Sequence, residues 1–246
     1  MRHPDDALRE DLATATRVLA RHGMIGMFGH VSVMTDDPQR YLICPGAGTR
    51  KDRCRPSDVI ELDLDHEFAP GLPLELYMHA EAHRRSPETI RSLVHVHSPA
   101  LTSLSALAEI PTELLLIHAA FWPTAMPVWD EAELVRDRAR AERMIELLGD
   151  EALLLLRWHG AVIVGATLKE ALMRTIMAET HAQQLLVALS HGRPLAPVPP
   201  QVDRDDLYER VLSPVTHDMQ WRLESSYVES PPGANLATPR SASGAG

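Results

Sequence analysis

The chain has 246 residues, 45% of them apolar and 24% charged, enough for one sizeable hydrophobic core. Its formal charge of -10, with no basic stripe, excludes a surface built to neutralise nucleic-acid phosphates. No apolar run approaches the roughly 18 residues needed to span a bilayer, so no membrane association is expected. The charged start, "MRHPDDALREDL", lacks the apolar stretch of a secretory signal. Two cysteines, Cys44 and Cys54, suit free thiols in a reducing compartment, and a cytoplasmic location is expected.

In chain order, Leu8, Leu12, Ala15, Val18 and Leu19 recur at helical spacing, and Gly23 follows as a stop. "GHVSVMT" and "RYLICPG" alternate around the turn-rich "DDPQ" and read as paired strands, and "VIELDLD" reads as a third. A helix is expected from Pro73 to about Arg85, then the strand "SLVHVHS", then a helix opened by Pro99. Residues 113–121, "ELLLIHAAF", read as a further strand. Residues 130–150 read as one amphipathic helix closed by Gly149. "ALLLLRWHGAVIVG" splits at His159-Gly160 into two strands. The longest helix runs from the N-cap Thr167 to Gly192. Beyond it, "RPLAPVPPQV" is an extended connector, and residues 203–214 suit a short helix. Residues 1–228 are read as a single domain and 229–246, rich in Ser, Pro, Gly and Ala, as a disordered tail.

Thirteen histidines are present, and their placement matters more than their number. A strand puts residues two apart on one face, so His95 and His97 point the same way, about 7 Å apart at the backbone. Val94 and Val96 point into the opposite layer. Two imidazoles on one face can converge on one metal ion, and His159, at the tip of an apolar strand pair, offers a third ligand. Glu75, at a helix start in an apolar segment, is the candidate acid. Alone, a histidine reads first as a satisfied core residue, a reading that the His-x-His pair on a buried strand weakens, and Glu75 reads equally well as a helix-start glutamate.

In combination, "GHVSV", "YLICPGAG", "PLELYMHAEAHRRSPETIRSLVHVHSPALTSLSA" and "RWHGAVIVGATLKEALMRTIMAETHAQ" resemble the class II aldolase/adducin family from about Leu8 to Ala188. The resemblance implies a three-layer α/β/α sandwich with a mixed, mostly antiparallel central sheet. It also implies a homotetramer with active sites at subunit contacts. By position, His95, His97 and His159 match the family's metal-binding histidines, and Glu75 matches its acid/base carboxylate. One divalent ion per subunit is implied, and Zn, Mn, Fe and Co all suit such ligands. A hydroxy acid or hydroxy carbonyl chelating there would have its developing enolate charge stabilised. Glu75 would move a proton, provided burial raises its pKa.

The sequence departs from the family's sugar-phosphate members at three phosphate-contacting places. A Gly-Asn pair is Gly29-His30 here, and a Thr-Pro loop is Cys44-Pro45-Gly46-Ala47-Gly48. A Ser-Ser pair before the glutamate is Pro73-Leu74. Proline has no backbone donor and leucine no hydroxyl, so this edge suits a phosphate poorly. The pattern is similar to a decarboxylase branch acting on hydroxylated aromatic or pyridine dicarboxylates. A metal-dependent decarboxylase of a small carboxylic acid is the leading expectation. An aldolase, epimerase or dehydratase on a small hydroxy carbonyl or sugar phosphate, and a non-catalytic adducin-like module, stay open. Supporting substrate contacts are assigned to His30, Gly46, Arg50, Lys51 and His118. His79 and His83, on the helix face of Glu75, are expected mainly to pack, and Cys44 to be an inert thiol.

Overall fold

Alternating strands whose two faces are both apolar need cover on both sides, and the chain supplies it with helices from different parts of its length. The computed structural model describes residues 5–196 and 203–229. The elements are α1 (Asp6–Arg21), β1 (His30–Met34), β2 (Arg40–Ile43), β3 (Ile60–Asp63), α2 (Leu76–Arg85), β4 (Ser92–Val96) and α3 (Pro99–Ser105). They continue with β5 (Val128–Trp129), α4 (Arg138–Leu148), β6 (Leu153–Leu156), β7 (Gly160–Gly165), α5 (Leu168–Ser190), α6 (Arg204–Val211) and α7 (Pro214–Glu229).

The strands form one sheet in the order β3-β2-β1-β4-β7-β6-β5. Every pairing is antiparallel except β5 with β6, which is parallel. Val31, Val33, Val94, Val96, Ala161 and Ile163 pack with buried residues of α1, α3 and α5 in one core. Leu93, Leu154, Leu156, Val162 and Val164 face α2 and α4 in another. This is the three-layer sandwich with a mixed, mostly antiparallel sheet.

Helix ends follow their local chemistry. Thr167 caps α5 by accepting the Glu170 N–H, and Asp137 caps α4 by accepting the Arg140 N–H. Glu179, buried in α5, caps α3 across the layer. It accepts the N–H groups of Ala100 (3.0 Å) and Leu101 (3.1 Å) and the Ser98 hydroxyl (2.6 Å). That clamp holds the turn directly after His97. Among the described residues no helix is long and apolar enough to cross a membrane.

Three sequence expectations need correction. Residues 113–121 are not a strand. Pro111 and Pro123 flank them, the chain tightens into a 3-10 turn at Ile117–Ala119, and Val128–Trp129 takes the place beside β6. The helix expected from residue 130 begins at Arg138, because Asp137 is its cap and residues 130–137 form a loop. Glu229 is the last residue of α7, a helix the sequence reading missed; the rest of the expected tail lies outside the described residues. So do residues 197–202 of the expected connector.

Burial makes the fold acid-sensitive. His83 and His181 are fully buried, and burial holds each pKa at about 4, below the ordinary value of 6.5. As pH falls, the unfolded chain therefore binds these protons first. Their stabilising contribution is whole above pH 6.5 and is lost between pH 6.5 and about 4, by roughly 3 kcal/mol for each histidine. Urea melts of the metal-free protein should show the midpoint falling across that window. A midpoint flat from pH 6.5 to 4 would contradict the burial argument.

Candidate metal centre

Strand alternation on β4 sends Leu93, His95 and His97 to the α2 side of the sheet. The β6–β7 hairpin brings in His159. Its tip residue, Trp158, sits in the left-handed region with φ 57°, which is unfavourable for a bulky side chain and marks a turn held by its surroundings. Gly160 follows at φ 155°, and a Cβ there would lie 2.0 Å from the Val96 carbonyl oxygen. Only glycine lets the hairpin come this close to β4. Glu75 enters from the residue before α2.

The four side chains meet. One ligand atom from each of Glu75, His95, His97 and His159 lies within 4.8 Å of the others. Glu75 Oε2 is 3.4 Å from His95 Nε2 and 3.5 Å from His159 Nε2. His97 Nε2 is 2.9 Å from His95 Nε2. His95 Nδ1 donates to the Ala161 carbonyl at 3.0 Å, which leaves its Nε2 lone pair aimed into the group. His97 is anchored by its N–H to the Met24 carbonyl and by stacking on Phe28.

Burial lowers the pKa of His97 and of His159. His97 is pushed down to about 3, by burial and then by His95 and His159. His159 is lowered by burial and then by His95. Burial alone would raise Glu75. The hydrogen bond from His95, the attraction of His95 and then His159 whenever those rings carry a proton, and the Val135 N–H outweigh burial and hold it down at about 2. This corrects the expectation of a raised pKa: the carboxylate is ionised.

These residues fit a divalent cation. His159 Nε2 is buried with no hydrogen-bond partner, and two ring nitrogens face each other at 2.9 Å. Donors held about 2.1 Å from one ion lie roughly 3.5 Å apart, close to the spacing here. A cation would satisfy the lone pairs that otherwise repel.

The remaining sequence candidates separate. His30, at the start of β1, pairs in register with His95, their rings 5.0 Å apart. Its pKa is well below the ordinary value because of burial, then of His79, His95 and Lys51. Lys51 is 3% exposed and its ammonium donates to the Gly29 carbonyl. It lies close enough to lower the pKa of both His30 and His97. Burial lowers the pKa of Lys51 itself. Arg50 is exposed and paired through two nitrogens with Asp52. Gly46 is buried against the backbone of Leu72, which a Cβ would meet at 2.7 Å. It thus packs the loop that leads into Glu75. His118 sits half-buried on the 3-10 turn, which packs on α5 and α6, and it does not join the four-donor group. Cys44 is buried with its pKa raised by burial.

Sequence reasoning missed Val135, whose N–H donates to Glu75 Oε1 at 3.0 Å from the loop read as helix. It also missed Ser32, which the period of two from His30 would have placed on the same face. A cleft of about 410 Å³ is lined by Met27, Gly48, Thr49, Arg50 and Lys51, among others, and by none of the four donors. A larger cavity of about 880 Å³ lies at the other end of β1, against Val33 and Met34, and none of the four donors lines it. Volume does not locate the chemistry here.

Residues 10–186 match the model of the "Class II Aldolase and Adducin N-terminal domain" family. The chain is 30% identical over 209 residues to the 3,4-dihydroxyphthalate decarboxylase of Arthrobacter keyseri, covering 78% of this chain and 82% of that one. It is 30% identical over 214 residues to the 5-methylthioribulose-1-phosphate/5-deoxyribulose-1-phosphate aldolase of Rhodospirillum rubrum, covering 84% and 90%. A crystal structure of an aldolase II superfamily protein from Pseudomonas syringae superposes with TM-score 0.79 at 19% identity over 93% and 94% of the two chains, a likeness of fold. The chain therefore belongs to the class II aldolase and adducin family, as one of its metal-dependent carbon–carbon lyases.

Proposed function

We propose that the protein decarboxylates a non-phosphorylated hydroxy aromatic or related dicarboxylic acid. The observation that carries this reading is Lys51. It is a buried ammonium with no carboxylate partner among the described residues, beside the four-donor cluster. A buried cation without an anion is costly, and a substrate carboxylate would complete it. The phosphate-binding hydroxyls are missing: Pro73 and Leu74 precede Glu75, and Thr49 Oγ1 is spent on the Gly46 carbonyl at 2.8 Å. The similarity to a dihydroxyphthalate decarboxylase points the same way.

In this reading His95, His97 and His159 hold one divalent ion, Zn, Mn, Fe or Co, with Glu75 adjacent. When bound, the ion stabilises negative charge developing on the substrate. Lys51 fixes the second carboxylate, which orients the acid for loss of the first. Glu75 rests ionised, so it serves as a relay rather than a proton store: it takes up one proton from solvent and, as a strong acid, releases it readily. The bond to the departing carboxylate breaks with its electron pair left on the ring carbon, and Glu75 delivers its proton to that carbon. Carbon dioxide and the protonated ring are the products. Phe28 and Trp158, 52% and 62% exposed, and Met27 give the site an apolar rim that suits a neighbouring copy. A homotetramer with sites at subunit contacts is proposed on that ground. The two free thiols suit the proposed cytoplasmic setting.

The test is carbon dioxide release from 3,4-dihydroxyphthalate by protein loaded in turn with Zn, Mn, Fe and Co. Lys51→Met should raise KM about 10- to 100-fold, the scale of one charge-assisted hydrogen bond, with a smaller effect on kcat. Retro-aldol turnover of a ketose phosphate, with no carbon dioxide from aryl dicarboxylates, would overturn the reading.

A further inference from the structure

A row of buried polar side chains runs from the metal centre along the interface between β1 and α2. His30 and Ser32 alternate on the strand, and His79 and His83 stand one turn apart on the helix. The two spacings match, so the side chains interleave. His30 Nδ1 lies 2.6 Å from His79 Nε2, and His79 Nδ1 lies 2.6 Å from Ser32 Oγ. Ser32 Oγ lies 2.9 Å from His83 Nε2, and His83 Nδ1 lies 3.0 Å from the Ile90 carbonyl oxygen. All four residues are at most 5% exposed.

The far end sets the direction of every bond. A carbonyl oxygen only accepts, so His83 Nδ1 carries the hydrogen. His83 is neutral because it is buried, so its Nε2 is bare and accepts from the Ser32 hydroxyl. The Ser32 oxygen then accepts from His79 Nδ1–H. His79 Nε2 is in turn bare and accepts from His30 Nδ1–H. With the opposite polarity, a bare His83 Nδ1 would face the Ile90 oxygen, two acceptors at 3.0 Å.

We propose that this chain, anchored on the Ile90 carbonyl, locks His30 in the Nδ1–H tautomer, so that its bare Nε2 accepts a hydrogen bond from a substrate hydroxyl beside the metal centre. His79, Ser32 and His83 are then positioning residues. The ring's Nδ1 is engaged by His79, which leaves Nε2 as the ring's free nitrogen. The ring stands next to His95 and Lys51, where a bound hydroxy acid would lie. A hydrogen-bond acceptor there selects a hydroxyl and disfavours a second anionic oxygen. Recognition of the hydroxyl deepens the decarboxylase reading and rests on it; the tautomer does not.

Two measurements separate them. In the zinc-loaded protein with 15N-labelled histidine, the His30 signals, identified by their loss in His30→Gln, should show a protonated Nδ1 and an unprotonated Nε2. Ser32→Ala should shift His30 toward the Nε2–H form. It should raise KM for 3,4-dihydroxyphthalate roughly 10-fold, while inhibition by phthalate, which lacks the hydroxyls, stays unchanged. A protonated Nε2 in the wild type overturns the proposal, whether or not Ser32→Ala folds. Equal weakening of both ligands, or neither, overturns the recognition role. If the wild type releases no carbon dioxide, the functional reading falls and the nitrogen spectrum still decides the tautomer.

Discussion

His95→Ala should abolish turnover and strip the protein of its metal. The ring sits at the centre of the group, 2.9 Å from His97 Nε2 and 3.4 Å from Glu75 Oε2. Its Nδ1 is committed to the Ala161 carbonyl, so its Nε2 is available to a cation with no rearrangement. Loss of this donor should lower metal affinity by at least about 100-fold and turnover by about 1000-fold. Melting gives an independent reading. Adding zinc at about 100 times its Kd should stabilise the wild type by roughly 2.7 kcal/mol, and the variant should lose that gain. The metal-free variant should be destabilised by only about 1–3 kcal/mol, for the orphaned Ala161 carbonyl and the small void. Full metal content with unchanged turnover would remove these four residues from the chemistry.

Glu75→Gln should separate metal binding from proton transfer. The amide keeps the shape of the carboxylate, and its oxygen can still accept the Val135 N–H. The three histidines are untouched, so zinc content should persist. The substituted group cannot take up and release a proton, so kcat should fall by about 100- to 10,000-fold. The ionised state of Glu75, held at about 2, makes the contrast sharp, because the charge removed is present throughout the neutral range. Wild-type turnover in this variant would exclude Glu75 as the proton carrier.

Much of this arrangement is legible in short-range pattern. The period of two in "SLVHVHS" places His95 and His97 together, because a pleated strand has no other way to point them. Thr167 and Gly192 bracket α5 for reasons contained in one helix turn. The errors share a cause as well. Residues 113–121 are as apolar as a strand, yet the backbone between Pro111 and Pro123 finds its hydrogen bonds in a 3-10 turn. Residues 130–137 share the helical pattern of α4 but are drawn out to cover Glu75 through Val135. In both places tertiary contacts override local preference.

Residues alone determined most of the elements and the shared face of His95 and His97, since each follows from chemistry within a few positions of the chain, while Pro73 and Leu74 at positions where sugar-phosphate members carry hydroxyls were read through the family resemblance. Tertiary structure alone decided that Glu75 is ionised, that Lys51 is buried without an anion, and that Arg50 is taken up by Asp52. It alone joined His30 to His83 through His79 and Ser32. Charge and hydrogen-bond direction depend on which groups meet and how much water is left between them, and those are set only when distant segments pack.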